Sequence, residues 1–268
     1  MSFYTSLSGL KNAQTSLNVV AHNLANAETV GFKKSRVDFG DIVAGSAYTN
    51  PKMIQGIGST VEAITQNFSI GPIQQTGSAL DLAISGDGFF STKTIGTGET
   101  LFTRNGSFEI DDSGFVQDGA SNVLQIFAPG ADPTTDAPID AQVPPTNAGG
   151  AAFAGLVIDT DGSVIASYAD GTSESIGSVA LASFIAPAGL KQIGSSNWEA
   201  TGLSGTPTYG APGSGTFGDV ISGALERSNV DIAEELVSLI TAQRYFQANA
   251  KAIDTATQIS QTVINLRT

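Results

Sequence analysis

Cysteine is absent from the 268 residues and histidine occurs once, which excludes thiol catalysis, disulfides and zinc sites rich in Cys or His. Basic residues are few, 12 against 25 acids, and a net charge of -13 argues against nucleic acid and anionic membrane as partners. No apolar run reaches the roughly 18 residues needed for a membrane span, so no membrane insertion is expected. The opening MSFYTSLSGLKN lacks a basic stretch followed by an apolar core, so no general secretory signal is expected.

Reactive constellations are equally scarce. His22 lies among Asn and Ala on a helical pattern, where a structural role outweighs a catalytic one. Glu234 and Glu235 suit the first turn of a helix through its dipole. Gly213 to Gly218 fits G-x-G-x-x-G, but "SGTPTYGAP" before it is no buried strand, so nucleotide binding is rejected. Asp159, Asp161 and Gly162 lack the other ligands of a calcium loop and read as a turn. A glycan platform would need clustered aromatics, yet there is one tryptophan, Trp198, and no pair of carboxylates at a meaningful spacing. The sequence reads as a non-enzyme with no cofactor and no metal.

What is present begins at the ends of the chain. Phe3, Leu7, Leu10, Gln14, Leu17, Ala21 and Leu24 follow a 4-3-4-3 spacing. Ile232, Leu236, Leu239, Gln243, Phe246, Ala250 and Ile253 repeat it, and the pattern slips by one residue before continuing at Ala256, Ile259, Val263 and Leu266. A period of 3.5 residues is that of a coiled-coil seam. Asn229 and Asp231 are cap candidates for the last helix, with Glu234 at capping-box spacing from Asp231. Two helices of unequal length cannot cover one another fully, so copies of the same chain are expected to complete the seam.

Between the helices the pattern turns to short strands. Asn105-Gly106 predicts a two-residue hairpin, and Asp118-Gly119, Asp161-Gly162 and Asp170-Gly171 predict further turns. "GLVIDTDGSVIASYADGTSESIGSVALASF" reads as a three-stranded meander. The fold class is therefore α+β: long N- and C-terminal helices forming a coiled-coil-like assembly layer, with a central, mostly antiparallel β domain. The expected domains are 1–28 with 230–268 as the helical assembly layer, 29–70 as a connecting region, and 71–229 as the β domain. Residues 130–154, rich in Pro, Ala and Gly, are expected to be a short linker.

The helices carry unusually many amides. Residues 1–27 hold one charged side chain, Lys11, beside Asn12, Ser16, Asn18, Asn23 and Asn26, and the last helix carries Gln247, Asn249, Gln258, Gln261 and Asn265. A solvated helix would favour Glu and Lys. Amides fit a crowded environment in which repeated charges would repel.

"SLSGLKNAQTSLNVVAHNLANAETVGFKKSRVDF" resembles the N-terminal signature of the bacterial flagellar rod and hook proteins, an A-N-x-x-T-x-G-[FY]-K motif carried here by Ala25, Asn26, Thr29, Gly31, Phe32 and Lys33. "LDLAISGDGFF", "FTRNGSFEIDDSGFV" and "ALERSNVDIAEELVSLITAQRYFQANAKAIDTATQISQTVINLR" resemble the family's other signatures, in the same order. The opening MSFYTSLSGL, "GLKQIGSSNWEATGLSG" and the closing VINLR are most similar to hook subunits, with residues 130–154 standing where an outer domain would be inserted. The Ala44–Gly58 stretch is longer than a minimal hook linker and keeps the distal rod as the alternative.

The resemblance implies a subunit exported unfolded by the flagellar export apparatus. It would polymerise with itself into the curved hollow hook outside the cell, a universal joint passing torque from rod to filament. Implied neighbours are the distal rod protein, the hook cap and the hook-filament junction proteins. Gln258, Gln261 and Asn265 are expected to face the central channel, where uncharged amides would neither adsorb nor trap passing chains.

Overall fold

The computed structural model describes residues 2–45, 55–133 and 135–266. The architecture is α+β: a helix at each end of the chain and antiparallel strands between. The chain divides into two units. One comprises Met1–Ala27, Lys34–Asn67 and Val230–Thr268; the other comprises Glu28–Lys33 and Phe68–Asn229.

In the first unit, helix α1 spans Ser2–Ala25 and helix α2 spans Ile232–Asn265. Asp231 caps α2 as expected, its carboxylate accepting from the N–H groups of Ala233 and Glu234 at 2.8 and 3.2 Å. The helices lie antiparallel, with Asn23 of α1 bonded to Glu235 of α2 and Gly9 facing Asn249. A Cβ on Gly9 would stand 2.7 Å from the Asn249 carboxamide oxygen, so the absent side chain permits the close approach. Among the described residues of the helices, the buried positions are small or polar: Ala13, Val20 and Asn23 on α1, Glu235 and Ala242 on α2. The end helices thus pack on each other within the chain. The longer helix outlasts that partner: from residue 257 every described side chain of α2 is exposed.

Strands Ser35–Ala44 and Gln55–Gln66 pair antiparallel as a long hairpin, bulged between Asp38 and Phe39 and between Ile42 and Val43. Most of the Ala44–Gly58 stretch, residues 46–54, lies outside the described residues. Helix α1 rests on this hairpin. Asn12 donates to the Ser59 hydroxyl at 2.7 Å, and the Ser8 hydroxyl accepts from the Ser59 N–H at 3.3 Å. Two of the α1 amides, Asn12 and Asn23, are therefore engaged inside the chain.

The second unit is built on a sheet of 13 strands with a continuous antiparallel path. That path runs Phe153–Ile158, Ser163–Tyr168, Ser173–Val179, Asn122–Phe127, Phe89–Thr94, Thr100–Thr103, Asn197–Glu199 and Lys191–Gly194. The expected meander is its first three strands, with Asp161-Gly162 and Asp170-Gly171 at the turns. Two cores flank the sheet. The larger gathers Leu82, Ile84, Phe90, Leu124, Ile126 and Leu181, so the "LDLAISGDGFF" stretch is core. The smaller is aromatic: Trp198, fully buried, meets Phe68 and Phe89 edge-on at 5.5 and 5.8 Å. A buried Trp198 is no sugar platform.

Within 130–154, Ile139–Asp140 pairs with Asn122–Phe127, and Ala141 and Val143 are buried in the larger core. Asn105-Gly106 corrects a sequence expectation. Thr100–Thr103 pairs with Phe89–Thr94 and Asn197–Glu199, while Phe108–Ile110 pairs with Val116–Asp118. The two strands flanking the Asn-Gly do not pair with each other. The dipeptide is a corner instead: Asn105 Oδ1 accepts from the Ser107 N–H, and the Gly106 carbonyl accepts from the Leu82 N–H at 2.9 Å. That long-range bond takes the place of the local fold-back.

Candidate assembly surfaces and buried charge nodes

Lys33 and Lys34 are consecutive, just before the strand Ser35–Ala44, yet they have different acidic partners. Lys33 belongs to the second unit. Its ammonium, with no exposed surface, sits 2.5 Å from Glu226 Oε1 and donates to the Ser69 carbonyl at 2.8 Å. Glu226, equally buried, also accepts from Arg104 at 3.1 Å and from the Gly71 N–H at 2.8 Å. Arg104 donates to the Gly86 carbonyl at 2.9 Å, and its guanidinium lies over the Phe89 ring at 5.4 Å. Burial pushes the Lys33 pKa down; Glu226 opposes this and Arg104 adds to it. Burial lowers the Arg104 pKa as well, against the pull of Glu226.

Lys34 belongs to the first unit. It meets Glu235 at 2.9 Å and Glu234 at 3.1 Å. Burial works against its charge, but the hydrogen bonds and charges of both glutamates outweigh it and raise the pKa. Glu235, almost fully buried, also accepts from Asn23 at 3.3 Å. Asn23 in turn grips the hairpin from both sides, donating to the Ser35 carbonyl at 2.8 Å and accepting from its N–H at 2.9 Å. Glu235, read as a dipole residue, is thus the buried centre of a polar node. The sequence reading missed both nodes. The Lys33-Lys34 pair inside the motif was the available signal, but its acidic partners lie some 200 residues away.

The seam candidates fall into two groups. Leu7, Leu10, Leu17, Leu24, Leu239, Phe246 and Ile253 are half-buried within the first unit, where α1 packs on α2 and on the hairpin. Phe3, Ile232, Leu236, Ile259, Val263 and Leu266 are exposed, Leu266 at 82%. Ile232, Leu236 and Ile240 form one exposed ridge at four-residue spacing. Gln258, Gln261 and Asn265 are exposed too, and at 100° per residue the mean direction of these three lies more than a third of a turn from that of Ile259, Val263 and Leu266. His22 is exposed near the end of α1. Among the described residues, no cluster of His, Cys, Asp and Glu could hold a metal, and no helix is long and apolar enough to cross a membrane.

Three family profiles match along the chain. "Flagella basal body rod protein" matches residues 3–33, "Flagellar hook protein FlgE/F/G D1 domain" residues 83–166, and "Flagellar basal body rod FlgEFG protein C-terminal" residues 221–266. The flagellar basal-body rod protein FlgG of Bacillus subtilis is 39% identical over 279 positions, covering 99% of this chain and 98% of the relative. FlgG of Borreliella burgdorferi is 32% identical, covering 98% and 97%. The flagellar hook protein FlgE of Salmonella typhimurium is 27% identical over 412 positions, covering both chains completely. With near-complete coverage at that identity, the chain belongs to the flagellar rod and hook protein family, a family of structural proteins and not of enzymes.

Proposed function

We propose that this chain polymerises with itself into a hollow tube of the flagellar axis, and that its place is the distal rod. The observation carrying the choice is the alignment with the rod protein of Bacillus subtilis, 39% identical and nearly end to end. The hook relative is less similar, and its alignment extends to 412 positions against the 268 residues of this chain. Within residues 130–154, Ala141 and Val143 are tied into the core, which supports reading this stretch as part of the β domain and not as a separate outer domain. The hook remains the second reading, favoured by the hook-like opening, the "GLKQIGSSNWEATGLSG" stretch and the closing residues.

In this reading the exposed ridges Ile232–Leu236–Ile240 and Ile259–Val263–Leu266 pack against neighbouring copies as a coiled-coil-like layer. Gln258, Gln261 and Asn265 then line the channel. Other axial proteins and the flagellar export apparatus are the partners, and the location is the flagellum, beyond the cytoplasm. Electron microscopy of the purified, polymerised chain tests the proposal. Straight tubes support the rod, curved tubes the hook, and a chain that never polymerises overturns both.

A further inference from the structure

The chain passes between its two units at four places, 27/28, 33/34, 67/68 and 229/230. Those four peptides are the covalent links between the units. Within the second unit, the four ends that lead out of it are held in one patch. Glu28 pairs with Arg227, and Lys33 with Glu226. Lys33 also bonds the carbonyl of Ser69, next to Phe68, and Asn229 donates to that same carbonyl at 3.1 Å.

The short segment Glu28–Lys33 is gripped along its length. The Val30 carbonyl accepts from the Ser196 hydroxyl at 2.8 Å, and the Gly31 N–H donates to the Glu226 carbonyl at 2.8 Å. A Cβ on Gly31, at φ +68°, would stand 2.5 Å from the Asn105 nitrogen, so only glycine lets the segment lie this close. Ser195 and Ser196 both hold positive φ, 52° and 57°, a strained turn for non-glycine residues that brings the Ser196 hydroxyl to Val30.

We infer that Lys33, Arg104 and Glu226 are positioning residues: a buried clamp that fixes the four chain passages at one edge of the second unit, so that load enters it at a single rigid point. A buried ion group adds little net stability over an apolar replacement of equal volume, whereas it fixes direction through its hydrogen bonds. Here those bonds fall on Ser69, Gly71 and Gly86, the first of them next to the 67/68 passage. The inference rests on the reading of the chain as a structural subunit.

The test compares the full-length chain with a neutral triple variant, Lys33→Met/Arg104→Met/Glu226→Leu. Thermal unfolding reports stability, and hydrogen exchange by mass spectrometry reports the clamp. The expected result is an unchanged or raised unfolding temperature, with exchange at least about tenfold faster in peptides covering 28–33, 69–72 and 226–229, as befits the loss of charged hydrogen bonds. Polymers of the variant should also fragment sooner under shear. Wild-type protection in those peptides together with wild-type fragmentation overturns the clamp.

If the triple variant fails to fold, Ser196→Ala, which deletes only the bond to Val30, decides in its place. Faster exchange at 28–33 and earlier fragmentation support the clamp, and unchanged values overturn it. Failure of the wild-type chain to polymerise would refute the structural-subunit reading alone, because the exchange measurements are made on the monomer.

Discussion

Among the described residues of the first unit the buried apolar ones are Ala13, Val20, Ala27 and Ala242, while Phe39, Val43, Ile57, Ile64, Leu236, Val237 and Ile240 are exposed. In the second unit Trp198, Phe90, Phe102, Phe127, Leu124 and Ile126 are almost wholly removed from water. One unit completes its core from its own strands; the other joins its pieces through small residues, polar nodes and half-buried leucines and leaves many of its large side chains exposed. A two-stranded ribbon is marginal by itself, and a helix gains most of its stability from packing. In the proposed function, neighbouring copies would supply the packing that this unit lacks.

The largest effect should separate the two glutamates. Glu226→Ala leaves Lys33 and Arg104 buried and unpaired, and should lower stability by about 3–5 kcal/mol. Glu235→Ala leaves Lys34, which is partly exposed and still beside Glu234, so the loss should be about 1 kcal/mol. Denaturant unfolding followed by circular dichroism measures both. Equal losses would erase the contrast between the units. Trp198→Ala should fall near the first value, about 3–5 kcal/mol, through the cavity left among Phe68, Phe89 and Phe184.

How much of this was legible depends on distance along the chain. Helix α2, its Asp231 cap and the Asp-Gly turns of the meander are local, set by residues within a few positions of each other, and they were readable. Asn105-Gly106 is equally local and misled, because Leu82 takes the Gly106 carbonyl and the following strand pairs elsewhere. The buried nodes could not be read. Nothing near Lys33 names Glu226, and nothing near Glu235 names Asn23. The exposed face of α2 was visible as a period, but which apolar residues would pack within the chain depended on Gly9 and the small residues of α1, whose antiparallel match to α2 is tertiary.

Leu236→Asp tests the incompleteness of the first unit at small cost to the monomer. Leu236 is 43% exposed, so monomer stability should change by no more than about 0.5 kcal/mol. Polymerisation should be lost, because a charge would be buried without a partner between copies. Sedimentation of polymer and unfolding of monomer, measured side by side, check the two halves. A variant that polymerises normally would remove the ridge from the assembly surface.

The smallest effect should appear in titration, and it sharpens the contrast between the adjacent lysines. Burial, with Arg104 nearby, makes the folded chain release the Lys33 proton more readily than the unfolded chain does, despite Glu226. Between its folded and unfolded pKa values the unfolded state holds more protons, so the contribution of this group to stability rises with pH. Lys34 behaves oppositely. Burial is outweighed by Glu235 and Glu234, the folded state holds the proton more tightly, and the stabilisation is complete below the ordinary lysine value of 10.5 and lost as pH rises through the folded pKa. Alkaline conditions should therefore loosen the contact among Asn23, Ser35 and Glu235 in the first unit while the strand core of the second persists. NMR titration of 13Cε-labelled lysine, assigned with Lys33→Arg and Lys34→Arg, should place the Lys33 transition below that of Lys34. Coincident transitions, or the reverse order, would mean that the two side chains share one environment and that the division of the chain at this peptide bond has no electrostatic basis.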